Sequence, residues 1–206
     1  MQVIDHKKEL KHLYKPSKTE VGVVEVPPMN YLMVDGSGDP GKSAEFQEAI
    51  EALYGVSYIL KYAVMKSELA IDYSVMPLEG IWWTEDDGTF NREDKNRWKW
   101  TLMIMQPDYV NKKMFELSCE KLSQEKDIPG IGKLRFDSLF EGAAVQIMHI
   151  GLYSEIDHVI EKLEQYITRN GFIKNGKHHE IYLSDVRKAT PDKWQTVLRE
   201  PVKKIN

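Results

Sequence analysis

The chain of 206 residues contains one stretch that decides its fold, RWKWTLMIM at Arg97–Met105. Its tryptophan, leucine and isoleucine residues alternate with lysine, threonine and methionine, and Pro107 ends the run. Together these features predict a strong β-strand. Successive side chains of a strand point to opposite faces, so Trp98 and Trp100 share one face and Lys99 lies on the other. The tryptophan face predicts the wall of a core or cavity. The polar segment before this strand contains Asp87-Gly88, a dipeptide typical of hairpin turns.

A second aromatic strand is predicted upstream, in the sequence MPLEGIWW at Met76–Trp83. Adjacent tryptophans in one strand cannot both enter one core, so Trp82 and Trp83 are predicted to face opposite sides of the sheet. Alternation places Glu79 on the side of Trp83. Gly80 lies between these side chains and predicts the close approach of a ligand or another chain.

Periodicity and capping residues predict the other elements of the chain. The further predicted strands are Val21–Val26, Asn30–Asp35, Asp72–Met76, Ala143–Ile150, His178–Leu183 and Val197–Ile205. Helices are predicted after Ser43, Asp108 and Ser154, because each is a good N-cap before a run of helical periodicity. Gly171 is predicted to stop the last helix. The segment Asp127–Phe140 is punctuated by glycine and proline and is predicted to be a connection.

The order of these elements indicates the architecture. Asn30–Ile81 and Ala143–Leu183 both follow the order strand, polar loop, long helix, strands. This order predicts an α+β fold with helices on one face of a mostly antiparallel sheet. No repeat is evident in sequence identity, so the duplication is a hypothesis about architecture alone. We expect a single domain over residues 1–206, with halves at about 20–106 and 107–206. The sheet face away from the helices is expected to be free and to form a pocket if it is concave and aromatic.

The composition argues against several classes of function. A net charge of -4 and a pI of about 5.9 give no electrostatic reason to bind nucleic acid. The single cysteine, Cys119, cannot form an internal disulfide. The charged segment Met1–Lys18 has no apolar core of a signal peptide, and no stretch is long and apolar enough to span a membrane. We therefore expect a cytoplasmic protein that has no membrane partner.

Signals for metals and phosphates are weak in this sequence. His178 and His179 are adjacent in a predicted strand, so they point to opposite faces and cannot chelate one ion together. The glycine-rich segment Gly36–Ser43 lacks the spacing of a phosphate-binding loop, and Pro40 removes an amide that a phosphate would need. Neither a metal site nor a cofactor site is predicted.

The strand HHEIYL at His178–Leu183 contains the best candidate for a working carboxylate. Period two places His178, Glu180 and Tyr182 on one face, opposite the apolar Ile181. Glu180 therefore points away from the predicted core, with a tyrosine two residues further on. A solvated strand face would give the same pattern, so alternation alone leaves both interpretations open.

Four segments together resemble the GyrI-like small-molecule-binding domain family. They are Tyr31–Gly41 (YLMVDGSGDPG), Met76–Trp83 (MPLEGIWW), Trp98–Asp108 (WKWTLMIMQPD) and Glu180–Val202 (EIYLSDVRKATPDKWQTVLREPV). The resemblance implies a pseudo-two-fold fold with a ligand cleft between two similar halves. Some members of the family hold planar, often cationic ligands with a buried glutamate among aromatic residues. Others stand alone and hydrolyse cyclopropanoid DNA-alkylating compounds. Only about twenty residues precede the first predicted strand, so the chain resembles the standalone branch.

The resemblance also implies roles for individual residues. Glu180 would act as the general base on a water molecule, and a hydroxyl of Tyr182 or Tyr153 would orient that water or the ligand. Trp83 and Trp100 would stack the ligand. Glu79, which shares the face of Trp83, is a further candidate ligand contact. The expected partner is thus a flat aromatic small molecule, with no cofactor.

Two alternatives to hydrolysis remain open on the sequence. The chain could sequester drugs without any chemistry, with Glu180 pairing with a ligand cation and the aromatic residues adding cation–π contacts. It could also be an inhibitory partner of a protein such as gyrase, which would require an exposed interaction surface.

Overall fold

The computed structural model describes residues 1–85, 93–185 and 187–205. The predicted turn at Asp87-Gly88 lies outside the described residues. The helices are α1 (His6–Glu9), α2 (Lys11–Tyr14), α3 (Ala44–Lys66), α4 (Lys112–Glu125) and α5 (Asp157–Arg169). The strands are β1 (Gln2–Ile4), β2 (Gly22–Val26), β3 (Met29–Ser37), β4 (Ile71–Tyr73), β5 (Leu78–Trp83), β6 (Lys99–Gln106), β7 (Arg135–Leu139), β8 (Gly142–Ile150), β9 (Phe172–Lys174), β10 (His178–Tyr182) and β11 (Gln195–Lys204).

One large antiparallel sheet organises the described part of the chain. Its strand order is β2-β8-β11-β10-β5-β6-β3-β7, and β9 pairs with the end of β11. Strands β1 and β4 pair in parallel as a separate two-stranded sheet. The predicted α+β fold with a mostly antiparallel sheet is confirmed.

The sheet has an internal pseudo-two-fold axis at the pair of strands β10 and β5. The units β3-α3-β5-β6 and β8-α5-β10-β11 have the same element order and lie on opposite sides of this pair. At its centre Glu180 lies opposite Gly80, and one strand further out Leu198 and Leu102 occupy equivalent positions. The predicted pseudo-symmetric halves are therefore present, although sequence identity does not reveal them.

The outermost strands are exchanged between the two units. Strand β2 directly precedes β3 in the chain, yet it pairs with β8, with Val23 opposite Val145. Strand β7 directly precedes β8, yet it pairs with β3, with Phe136 opposite Leu32. Each half therefore receives its outermost strand from the other half.

The long helices α3 and α5 pack on the same face of the sheet. Helix α3 begins as predicted, because the backbone N–H of Phe46 donates to the Ser43 hydroxyl at 3.2 Å. The buried side chains of α5 pack against one sheet face in a cluster of Val145, Ile147, Ile156, Val159, Leu163, Ile167, Leu198 and Val202. No helix in the described ranges is long and apolar enough to cross a membrane.

Two predicted helix starts are wrong. Helix α4 begins after Asn111, whose side chain accepts from the backbone N–H of Met114 at 3.1 Å, and not after Asp108. Helix α5 begins at Asp157, because Ser154 lies in a short 3-10 turn and does not cap it. Gly171 follows the end of α5 with a φ of 66°, as expected of a glycine stop.

The sheet face opposite the long helices is covered by the N-terminal segment. Leu13 and Tyr14 of this segment are 0% and 3% exposed. Arg199 donates to the Leu13 carbonyl at 3.0 Å, and the side-chain amide of Gln146 donates to the His12 carbonyl at 2.6 Å. The prediction of a free second face is therefore wrong, because the charged segment Met1–Lys18 also contains two residues that become buried against this face.

Candidate functional site

Strand β10 places Glu180 in the middle of the sheet, on the face that carries the long helices. Its neighbours in register are Gly80 of β5 and Leu198 of β11. Leu198 packs against α5, and Trp82, two residues beyond Gly80, contacts Phe46 of α3. Glu180 thus lies between the two helices at the pseudo-two-fold axis, and we call this position the central cleft.

Two hydrogen-bond donors hold the carboxylate of Glu180. The hydroxyl of Tyr182 donates to Oε2 at 2.8 Å, and Nε2 of His178 lies 3.1 Å from Oε1. The indole Nε1 of Trp82 in turn donates to the Tyr182 hydroxyl at 3.1 Å. Hydrogen bonds to both oxygens favour the ionised form of a carboxyl group. The side chain of Glu180 keeps 12% of its surface exposed, so the site is reachable from solvent.

His178 connects Glu180 to a second acid, which is buried. Its Nδ1 lies 2.7 Å from Oε1 of Glu200, whose side chain is 3% exposed. Burial of the ring disfavours the charged form, but the hydrogen bonds and charges of the two carboxylates outweigh it and raise the pKa of His178 to about 9. Lys174 extends the chain of charges, with Nζ 3.9 Å from Oε1 of Glu200.

Aromatic side chains line the cleft on the side of α3. The ring centroid of Phe46 lies 6.0 Å from that of Trp82 and 5.1 Å from that of Trp100. Trp98 meets Trp82 edge to face at 5.5 Å. Trp100 is fully buried, so it supports this wall from behind.

A second aromatic group lies on the side of α5. Tyr153 meets Tyr182 edge to face at 5.7 Å between centroids and lies 5.1 Å from Trp194. Tyr153 is 37% exposed and marks the rim of the cleft. Burial and the charge of Glu180 raise the pKa of Tyr153 to about 12, so its hydroxyl stays neutral near pH 7. An aromatic wall on each side suits a flat, conjugated ligand.

A similar chain of acids and a histidine lies on the opposite face of the sheet. His179 bridges Glu79 at 2.9 Å and Glu141 at 3.0 Å, and Arg199 donates to Glu141 at 2.9 Å. Tyr14 covers this cluster and donates to Glu79 at 2.7 Å. Although burial opposes it, the positive charges of His179 and Arg199 hold the pKa of Glu141 at about 2. The side chains of His179 and Glu79 are 0% exposed, so this cluster is closed to a ligand.

The structure brings together four of the six residues predicted for the site. Glu180, Tyr182, Trp100 and Tyr153 all lie on the helix-bearing face. Glu79 and Trp83 lie on the opposite face, where Glu79 joins the closed cluster and Nζ of Lys177 lies 3.3 Å from the ring centre of Trp83. The six predicted residues are therefore divided between the two faces of the sheet.

Several residues of the central cleft were not predicted from the sequence. They are Phe46, Trp82, His178, Trp194 and Glu200. Alternation already groups His178 with Glu180, but its bonds to the acids depend on the pairing of β10 with β11. In the described ranges, no group of three or more His, Cys, Asp or Glu side chains is arranged to hold a metal ion.

The fold and the site define a pseudo-symmetric α+β protein in which one acidic side chain lies between aromatic walls at the centre of the sheet. Residues 19–203 match the family described as the GyrI-like small molecule binding domain. The chain belongs to this family. No protein with a curated description matches the chain at a significant level.

Solved structures of similar proteins share this fold. An uncharacterized conserved protein from Listeria innocua is 40% identical, with a TM-score of 0.89 over 97% of this chain and 100% of that one. A hydrolase encoded by lin2189 from the same organism is 39% identical, with a TM-score of 0.87 over 98% of this chain and 100% of its own. The EcmrR C-terminal domain is 16% identical, with a TM-score of 0.55 over 90% of this chain and 98% of that one, and shares the fold alone.

Proposed function

We propose that this protein hydrolyses planar, cyclopropane-containing DNA-alkylating compounds, with Glu180 as the general base that activates water. The observation that carries the proposal is an acid held by two hydrogen-bond donors between two aromatic walls. The aromatic rings would stack a conjugated ligand, and the carboxylate would receive a proton from water beside it.

Two further points support hydrolysis of such compounds. A protein that is 39% identical over 98% of this chain is described as a hydrolase. The substrate class comes from the resemblance of the chain to the GyrI-like family, some members of which open strained rings with water. A strained ring needs modest assistance, and a positioned general base contributes typically ~10²–10⁴-fold.

The chemistry consists of one proton transfer and one ring opening. Glu180 takes a proton from water as the water oxygen bonds to a cyclopropane carbon of the ligand. A carbon–carbon bond of the ring breaks, and its electron pair moves into the conjugated carbonyl system. This system takes up a proton from solvent, and Glu180 releases its own proton to solvent and becomes ionised again. The product contains one added water. Tyr182 would position the base through its hydrogen bond, and Tyr153, whose ring contacts that of Tyr182, would orient the water or the ligand carbonyl.

Incubation with a cyclopropanoid alkylator, followed by mass spectrometry, tests the proposal. The wild-type protein should convert the compound to a product that contains one added water. The Glu180→Gln variant keeps the shape of the side chain but cannot accept the proton, so turnover should fall by about 100-fold or more while the ligand still binds.

The matched control is Glu161→Gln, which changes an exposed acid on α5 and should leave turnover unchanged. Far-ultraviolet circular dichroism of each variant separates loss of the fold from loss of the base. Undiminished turnover in Glu180→Gln, or no addition of water by the wild type, would overturn the proposal.

A further inference from the structure

A cavity of about 490 Å³ lies between the N-terminal segment Met1–Lys18 and the sheet, on the face opposite the central cleft. Met148 and Leu183 line it from the sheet. Alternation and register place both with Ile181, which points away from the face of Glu180. The N-terminal segment contributes four lysines to the lining, which are Lys7, Lys8, Lys11 and Lys15. The cavity therefore combines apolar side chains with a group of cations.

Hydrogen bonds to the sheet hold the backbone that carries these lysines. The backbone N–H of Met148 donates to the Ser17 carbonyl at 2.8 Å. Tyr14, which also lines the cavity, donates from its hydroxyl to the buried Glu79 at 2.7 Å. The cavity is thus formed by anchored parts of the fold, and its lysines extend from a fixed backbone.

Three of the lysines follow one another at intervals of four residues. Lys7, Lys11 and Lys15 extend along α1 and α2, which are separated by Leu10 alone. Side chains at i and i+4 are neighbours on a helix surface, and like charges at this spacing repel each other. An anion bound between these ammonium groups would relieve the repulsion.

The acids of the N-terminal segment are engaged elsewhere. Asp5 lies 3.4 Å from Nζ of Lys8, and Glu9 lies 2.9 Å from the ring of His6. Within the described part of the chain, no carboxylate lies within 4 Å of the other three lysine ammonium groups, and no acidic residue lines the cavity. The segment has five lysines and two acids, a formal charge of +3, whereas the rest of the chain carries −7. Positive charge is therefore concentrated beside the cavity.

We propose that this cavity is a second binding site, which takes small amphipathic anions that have a carboxylate or similar group on an apolar chain. The lysine ammonium groups would hold the anionic group with charge-assisted hydrogen bonds, and the chain would pack on Met148 and Leu183. Met148 is 4% exposed, so the apolar surface is recessed and suits a free molecule rather than a lipid bilayer. The inference does not rest on the proposed hydrolysis, because the cavity and the central cleft lie on opposite faces of the sheet.

Isothermal titration calorimetry at low ionic strength with three small probes tests the site. Octanoate has the charge and the chain, octanamide has the chain without the charge, and acetate has the charge without the chain. The wild type should bind octanoate about tenfold or more tightly than either of the other two. The double variant Lys11→Gln/Lys15→Gln should weaken octanoate binding by about tenfold or more, and added salt should weaken the binding to the wild type.

The matched control is Lys112→Gln/Lys113→Gln, which removes two exposed positive charges at the start of α4, outside the lining of the cavity. It changes the net charge of the protein by the same amount and should leave octanoate binding unchanged. Sedimentation with phosphatidylcholine vesicles, with and without phosphatidylglycerol, separates a free amphipathic anion from an anionic membrane surface. The wild type should sediment with neither kind of vesicle.

Three results would overturn the inference: no binding of octanoate, equal affinities for octanoate and octanamide, or equal octanoate affinities in the two double variants. Sedimentation with phosphatidylglycerol vesicles that is lost in Lys11→Gln/Lys15→Gln, without binding of free octanoate, would also overturn it in favour of a membrane contact. Failure of ring hydrolysis together with intact octanoate binding would reject the proposed reaction alone.

Discussion

Two glycines on the helix-bearing face make room for the tryptophans that line the central cleft. A Cβ at Gly80 would lie 2.8 Å from Nε1 of Trp82, and a Cβ at Gly36 would collide with the ring of Trp100. Without a side chain at position 80, the indole of Trp82 lies over its own strand and reaches the Tyr182 hydroxyl. The close approach predicted at Gly80 is thus made by a neighbouring side chain of the same strand.

The change Gly80→Ala should therefore displace Trp82. We expect the loss of its hydrogen bond to Tyr182 and a decrease of about 1–3 kcal/mol in the free energy of unfolding. The wavelength of the tryptophan emission maximum should also change. Urea denaturation and fluorescence spectra check this. Gly22→Ala is the matched control, because a Cβ at this strand position meets no atom within 4 Å. Equal stability of the two variants would contradict this account of Gly80.

At the scale of elements, sequence patterns predict a strand or helix correctly where the residues of that element alone show the pattern. The strands β3, β5, β6, β8 and β10 follow from apolar runs and alternation, and their predicted bounds differ from the observed ones by a few residues. Strand β7, RFDSL, lies in the segment predicted as a connection. It is an edge strand with polar residues, and it forms because β3 offers a free edge, which the local sequence cannot show.

The helix caps give a direct test at this scale. Ser43→Ala removes the hydroxyl that accepts from Phe46 N–H, so the free energy of unfolding should fall by about 1 kcal/mol. Ser154→Ala is the control, since this serine also precedes a helical pattern but makes no capping bond to α5. Thermal and urea denaturation of both variants measure the difference. An equal loss in the two variants would show that the hydrogen bond at Ser43 does not stabilise α3.

Over the whole molecule, β10 carries one histidine on each face that is hydrogen-bonded to two acidic side chains. Glu180 and Glu200 hold His178, and the nearby carboxylates likewise raise the pKa of His179 against the effect of burial. A histidine whose pKa is higher in the folded state stabilises the fold fully below its unfolded pKa of about 6.5. That stabilisation is lost as the pH rises through the folded pKa, which for His178 is about 9.

The free energy of unfolding should consequently fall as the pH rises from about 6.5 to about 9.5. The shift of His178 corresponds to roughly 3 kcal/mol of this decrease, and His179 adds to it. Urea denaturation at a series of pH values measures the slope. The slope should be shallower in His178→Gln, which is less stable at neutral pH. Parallel curves for the variant and the wild type would show that His178 does not titrate in this window.

The residues of the central cleft also depend partly on the pattern within one strand and partly on the pairing of strands. Alternation in HHEIYL groups His178, Glu180 and Tyr182 on one face, and the structure retains this grouping. The partners Trp82 and Glu200 come from β5 and β11, so their places depend on strand register, which no single segment encodes. For the same reason the sequence could not decide which tryptophan of the adjacent pair faces the cleft.

The pseudo-two-fold axis has a consequence for the handedness of any reaction in the cleft. The axis relates Glu180 to Gly80 and Tyr182 to Trp82, so symmetric positions of the frame carry unlike groups. A flat molecule that lies across the axis would meet the carboxylate of Glu180 along one edge and the indole ring of Trp82 along the other. The two edges of such a molecule are then not interchangeable, and a water beside Glu180 would approach from one side only. An attack that creates a stereocentre would then give one configuration of the product.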